Sequence, residues 1–504
     1  MQTPGTSSPN SGTVRPSTRS HRHVALWLFA SFQFFYLLTS TGRVRTSDEY
    51  NTLYTTESLV LRGTTAVPQA VALHNFYGRL DVHGQPRAAY PPGQALVCAP
   101  WYAIGQYVLA RLPGVPVEDT DLVVAFASCL SSATFAALTV AFFFLMLSGI
   151  GVPLRGALMA TVLVGLATPI FAYSAWLFSE PLSAAIFAGV AWLLFARNRQ
   201  DPSDLRLSLQ IAIIAGLILG LATLVRPTNA LAIAVFAVAI LVRDGKAALR
   251  AVFVFCAASA LGIAILLAHN ALLFGSPFAF GYPAVAEGGK QLNSFHTPML
   301  TGLYGFLLSP GKSVFIFAPP IVLALAGLRG LWRRDRGLAT VAGLLPLATL
   351  LFFAKYSQWE GGYCVGPRYL VPALVFLCLG LGPAFAEARA RTKALAAVLL
   401  VAGALVQSIS LATSFMEDQV PRDHYYNANW TYRLDYSLSG PVRLFFKYLG
   451  SAQPARLGLG WDRWFVFLAK AGISRATLAV LGAAMLAGLV ISLMALAKNV
   501  ASED

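Results

Sequence analysis

Three carboxylates stand where apolar runs end, positions at which a charge must be solvated, paired or retained for function. Asp48 and Glu49 open the block Ser47-Asp48-Glu49-Tyr50-Asn51-Thr52-Leu53-Tyr54, and Glu180 sits in Trp176-Leu177-Phe178-Ser179-Glu180-Pro181. Tyr50, Leu53, Tyr54, Glu57 and Leu61 recur at helical spacing, which predicts a helix with Ser47 as N-cap and Gly63 as its stop. Asp48 and Glu49 then occupy the first turn. Two readings are open for them: stabilising the helix start through its dipole, or acting as acid–base groups. For Glu180 the same choice stands between a partner of the following helix start and a functional carboxylate.

Basic residues gather near the same positions. Arg62, Arg79 and Arg87 follow the acidic block, Arg226 opens Arg226-Pro227-Thr228-Asn229 between two apolar runs, Lys312 ends Leu307-Leu308-Ser309-Pro310-Gly311-Lys312, and Lys355 and Arg368 flank a Gly-rich stretch. Guanidinium groups bind phosphate bidentately, and a lipid phosphate lies at this depth. Ordinary headgroup anchoring is the alternative. It accounts less well for Arg226, which is wedged between two runs.

The elements that must position these residues are apolar helices. Of 504 residues, 57% are apolar and only 12% charged, against about 25% charged in soluble globular chains. A soluble enzyme is excluded. The excess of 37 Lys and Arg over 22 Asp and Glu is read as membrane topology, and no nucleic-acid partner is expected. Five scattered cysteines with no paired spacing indicate neither a disulfide framework nor a zinc site. The expected class is an all-α polytopic membrane protein with about 12 spanning helices. The runs are Val24–Thr39, Leu122–Leu147, Leu154–Tyr173, Pro181–Phe195, Leu207–Val225, Ala230–Val242, Ala251–Leu267, Val314–Leu331, Leu338–Ala354, Tyr369–Phe385, Ala394–Ser414 and Thr477–Ala497.

Residues 1–22 are expected to form a disordered cytoplasmic tail, and 23–504 one membrane body. Short basic loops around Arg197, Arg243, Arg333 and Arg391 are assigned to the cytoplasm, as are both termini. Outside stand loops 42–121, 273–312, 355–367 and 417–474. Parity between the amino terminus and the Arg197 loop leaves no room for a crossing at Pro92–Leu112. That segment, with Gln94, Trp101, Tyr102 and Tyr107, is expected to lie on the outer surface as a juxtamembrane helix.

The opening Asp-Glu-Tyr block, followed by Tyr90-Pro91-Pro92-Gly93 and an aromatic amphipathic helix, resembles the first outer loop of the GT-C class of integral membrane glycosyltransferases. The likeness is to the branch of aminoarabinose transferases and protein O-mannosyltransferases. Val225-Arg226-Pro227-Thr228, Phe274-Gly275-Ser276-Pro277, the Lys312 block, and Trp359-Glu360-Gly361-Gly362 running into Gly366-Pro367-Arg368-Tyr369 add to it in order. One departure stands out. Aminoarabinose transferases carry a Lys before the Pro-Pro pair, where this chain has Tyr90, so that contact is absent or supplied by another cation.

The resemblance implies an inverting transfer of a sugar from a polyprenyl-phosphate donor to an acceptor hydroxyl on the outer face of a bacterial inner membrane. It implies Asp48 as general base, with Glu49 and Glu180 as supporting carboxylates. Arg226, Arg368, Lys312, Lys355 and Arg62 are the donor-phosphate candidates. Tyr50, Tyr90, Trp359, Glu360 and Tyr369 are candidates for acceptor and sugar contacts. The expected partners are the lipid-linked sugar, membrane lipid, and an acceptor glycan, lipid or protein. No cofactor or metal is demanded by ligand spacing, although a divalent cation held by Glu49 or Glu180 stays open. The rival reading is a transporter or flippase of a lipid-linked saccharide. Aromatic residues between Glu417 and Ser474, among them Tyr425, Trp430 and Trp461, read either as an acceptor platform or as interfacial anchors.

Overall fold

The computed structural model describes residues 18–74, 76–197, 205–282, 294–362, 364–386, 389–412 and 463–501. The tail through residue 17 and the aromatic loop from 413 to 462 lie outside the described residues. The rest is helical apart from one small hairpin, β1 (Gly78–Leu80) with β2 (Pro86–Ala88). In order, the helices are α1 (Thr18–Thr39), α2 (Ser47–Arg62), α3 (Pro68–Ala72), α4 (Gly93–Tyr107), α5 (Thr120–Gly149), α6 (Leu154–Ala167), α7 (Pro169–Tyr173) and α8 (Glu180–Ala191). They continue with α9 (Leu205–Leu221), α10 (Ala230–Asp244), α11 (Leu249–Phe274), α12 (Met299–Leu307), α13 (Val314–Phe317), α14 (Ile321–Arg334) and α15 (Arg336–Ala354). The last are α16 (Val371–Leu377), α17 (Leu381–Ala386), α18 (Ala390–Ala412), α19 (Trp464–Lys470) and α20 (Arg475–Ala501).

Among the described residues, six helical stretches are long and apolar enough to cross a membrane, and the chain is an integral membrane protein. Two expected spans are interrupted at prolines, and a third changes its turn type along its length. Leu154–Tyr173 breaks at Thr168-Pro169, and Val314–Leu331 breaks at Ala318-Pro319-Pro320. Proline lacks the amide that the preceding turn needs. Tyr369–Phe385 alternates short α and 3₁₀ turns, α16 and α17 being joined through Cys378–Gly380. Helix α4 has 15 residues, about 22 Å, too short for a straight crossing. It buries Gln94, Cys98 and Tyr102 and turns Leu96, Val97, Ile104 and Tyr107 outward.

Lipid gives apolar helices little reason to associate, so close fit must hold them. The α9–α11 pair meets backbone to backbone. A Cβ on Gly216 would lie 2.3 Å from the Phe255 carbonyl oxygen, and one on Gly220 2.4 Å from that of Ser259. In α1, Val24, Leu28, Phe32 and Tyr36 recur every four residues and are buried, and the Tyr36 hydroxyl donates to the Gly165 carbonyl at 2.7 Å.

Helix α2 begins at Ser47, the expected N-cap, so its cap falls one residue earlier than expected. Thr46 caps it, and Glu49 completes a capping box. Glu49 is fully buried and accepts from the amides of Arg45, Thr46 and Leu177 and from the Thr46 hydroxyl, each at 3.1 Å. Burial pushes its carboxyl above the ordinary value, against the opposing pull of Arg45 and these amides. The Leu177 bond ties α2 to the segment leading into α8. Replacing Glu49 with Ala strands four buried donors and should cost about 2–3 kcal/mol, read as a lowered Tm of the purified protein.

Candidate functional site

Asp48 follows Ser47 at the second helical position of α2, so its side chain projects about 100° around the axis from that of Glu49. It lines a cavity of about 660 Å³ together with Tyr77, Arg79, Tyr90, Gln94, Arg226, Arg368 and Tyr369. The Tyr90 hydroxyl donates to Asp48 Oδ1, and Arg368 Nη1 donates to Oδ2. Both carboxylate oxygens are thus aimed, while the side chain stays 20% exposed to the cavity. Burial, followed by the nearby Asp48 charge, pushes the Tyr90 phenol well above its ordinary value. Tyr90 is therefore a fixed donor at neutral pH.

Behind this pair lies Glu180, fully buried at the first position of α8. Its Oε1 accepts from Arg368 Nε at 2.8 Å and from Arg226 Nη1 at 2.6 Å. Two carboxylates and two arginines form one chain: Asp48, Arg368, Glu180, Arg226. Both guanidiniums also lie against aromatic faces, Arg368 4.1 Å from the Phe178 centroid and Arg226 5.2 Å from that of Tyr369. Such stacking suits the weakly hydrated guanidinium. Gln94 locks the floor, accepting from Thr52 Oγ1 and donating to the Leu177 carbonyl. Gly93 lets α4 approach the Arg226 turn, since a Cβ there would sit 2.6 Å from the Leu224 carbonyl.

The hairpin supplies a further cation, Arg79, named among the basic residues of this loop but not among the donor-phosphate candidates. Arg79 and Arg87 are cross-strand partners, and like charges so placed repel unless neutralised. Asp81 pairs with Arg87 at 2.8 Å. Burial pushes the Asp81 carboxyl up, but the Gln85 amide, Arg87 and the His83 amide outweigh it and hold it below the ordinary value. Arg79 lines the cavity, stacked 5.1 Å from the Phe274 centroid, and has no carboxylate partner among the described residues. Phe278 and Phe295, 76% and 49% exposed, line the same cavity and give it an apolar mouth.

The structure therefore brings together Asp48, Glu180, Arg226, Arg368, Tyr90 and Tyr369. Other sequence candidates lie elsewhere. Glu49 faces the Leu177 segment, Tyr50 stacks on Tyr54 at 5.5 Å, and Arg62 pairs with Glu57 on the exposed end of α2. Lys312 is buried and donates to the Cys364 carbonyl at 3.2 Å. Trp359 packs on Phe306, Glu360 is buried beside it, and Lys355 stands off the cavity. Tyr77, Tyr282 and Tyr356 join the lining instead. No three His, Cys, Asp or Glu side chains converge as a metal set among the described residues.

No family model matches the chain, and no curated protein matches it. Among solved structures it is similar to ArnT from Cupriavidus metallidurans bound to undecaprenyl phosphate. The identity is 16%, over 95% of this chain and 75% of that one, with a TM-score of 0.49. The likeness is too distant to give any residue of this chain its role.

Proposed function

We propose that this chain is a GT-C-like membrane glycosyltransferase that moves a sugar from a polyprenyl-phosphate donor to an acceptor hydroxyl. One observation carries the reading: a single cavity joins an oriented carboxylate, an arginine with no carboxylate partner among the described residues, and an exposed apolar mouth. The mouth at Phe278 and Phe295 suits an isoprenoid tail. Arg79 meets the donor phosphate, supplying the cation that Tyr90 does not, and Arg226 and Arg368 extend the positive field behind it.

Asp48 accepts the proton of the acceptor hydroxyl as its oxygen attacks the anomeric carbon. The sugar–phosphate bond breaks, and the polyprenyl phosphate leaves with the bonding pair. Its charge needs stabilisation by cations in place of a general acid. Displacement from the face opposite the leaving phosphate inverts the anomeric centre. Tyr90 and Arg368 hold Asp48 in register without leaving their own positions.

The test is turnover of a labelled polyprenyl-phosphate sugar by the purified protein in lipid. The reading predicts release of free polyprenyl phosphate matched to sugar transfer. Movement of intact donor across a sealed bilayer with no release would replace it with the flippase reading. Within this assay, Arg79→Gln should raise the donor KM by about tenfold, the scale of one charge-assisted contact, and lower kcat as well, because the leaving phosphate loses a cation. An unchanged KM would remove Arg79 from the phosphate site.

A further inference from the structure

A second cavity, of about 450 Å³, is lined by Arg243, Trp332, Arg333, Arg334, Asp335 and Arg336. It lies at the opposite end of two helices that reach the first cavity. Helix α15 runs from Arg336 to the Phe352–Phe353 wall of the catalytic cavity over 19 residues, about 28 Å. Helix α10 follows the Arg226-Pro227 turn and ends at Arg243 and Asp244. That separation matches the thickness of a bilayer's hydrocarbon core, about 30 Å. The two cavities therefore belong to opposite membrane surfaces.

Four arginines line this cavity with Asp335, and Asp244 stands beside it, 3.5 Å from Arg243 Nε, so both carboxylates are already engaged. Asp335 Oδ1 caps α15 by accepting from the Leu338 amide at 2.7 Å, and its Oδ2 lies 3.8 Å from Arg243 Nε. Arg243 is further fixed by donating to the Leu194 carbonyl at 2.8 Å, and Arg334 by donating to that of Gly151 at 2.7 Å. Arg333 and Arg336 have no ion pair among the described residues. Arg336 also stands in the first turn of α15, which holds no acidic residue, where the helix dipole disfavours a cation. Arg243 and Arg334 are fixed, and Arg333 and Arg336 are exposed with their charge unneutralised among the described residues, which leaves the cavity a net positive site that an anion can meet. Trp332, 46% exposed beside it, is a side chain suited to the headgroup layer.

We infer that this cavity binds the phosphate of an anionic membrane lipid at the surface opposite the catalytic cavity. Basic pockets between spanning helices take such headgroups, and the bound lipid would brace the α10–α15 pair. The site stands independently of the proposed activity.

The test titrates the purified full chain in detergent with phosphatidylglycerol, phosphatidylcholine or inorganic phosphate and follows Tm. Three proteins are compared: wild type, Arg333→Gln/Arg336→Gln, and Arg391→Gln/Lys393→Gln, which removes equal charge from another basic segment. Phosphatidylglycerol should raise the wild-type Tm by about 5 °C at saturation, with phosphatidylcholine and inorganic phosphate giving little. Its apparent Kd should weaken at least about tenfold in Arg333→Gln/Arg336→Gln and hold in the control pair. If the first pair is intrinsically unstable, Arg333→Lys/Arg336→Lys, which keeps the charge, should restore binding. Equal loss in both Gln pairs, or no shift with phosphatidylglycerol, overturns the site. An equal shift with inorganic phosphate overturns the lipid assignment.

Discussion

Asp48→Asn should lower kcat for sugar transfer by about 10²–10⁴-fold while leaving a folded protein that still binds donor. Asn keeps the size of Asp and an oxygen that can accept from Tyr90 or from Arg368, but it has no proton-accepting carboxylate. Arg368 retains Glu180 Oε1 at 2.8 Å, so the variant does not strand a buried guanidinium. The donor KM should stay within a few-fold of wild type, because Arg79 and the Phe278–Phe295 mouth are untouched. The measurement is the initial rate of polyprenyl phosphate release, with Tm as the control for folding. Turnover equal to wild type by a stable Asp48→Asn protein would sink the assignment of the base.

The second large effect lies behind the cavity. Arg368→Met should destabilise the protein by about 3–5 kcal/mol, the cost of removing one partner of a buried pair, and abolish turnover. It leaves Asp48 without its cation and Glu180, fully buried, with Arg226 alone. Removing one partner of a buried pair costs far more than removing both, since the survivor is left as an uncompensated charge. Glu180→Gln should therefore destabilise on its own, and Glu180→Gln/Arg226→Gln should recover part of the loss by rebalancing charge around the Asp48–Arg368 pair. Thermal or denaturant unfolding of the double-mutant cycle reads the coupling, expected to exceed about 1 kcal/mol. Additive losses would mean that the four groups do not act as one network.

The contrast between neighbouring residues explains how much of this was legible beforehand. Asp48 and Glu49 are adjacent and both acidic, and type, depth and charge say the same of each. One lines the cavity and the other is enclosed by amides of Arg45, Thr46 and Leu177. Lys312 and Arg368 likewise follow similar Gly-Pro-rich stretches, yet Lys312 is turned onto Cys364 and Arg368 onto Asp48 and Glu180. Arg79 stands among the basic residues of this loop in sequence, but nothing in its local pattern sets it apart from Arg62 or Arg87 as a phosphate contact. Its significance comes from Asp81 neutralising Arg87 across the hairpin.

Apolar periodicity and the scarcity of charge were enough to establish from sequence a helical membrane protein and to mark carboxylates and arginines at helix ends. Those signals are local, because a helix end in lipid must satisfy its charges wherever it is. Proline positions were equally visible, although their consequence, splitting expected spans into short turns at Thr168-Pro169 and Pro319-Pro320, became plain only in the fold. The direction of each side chain around its helix was decided by tertiary structure alone. A rotation of about 100° per residue separates neighbours in sequence, and the packing of α2 against α4, with its bonds to the Leu177 segment and to Arg368, selects which of them share a cavity.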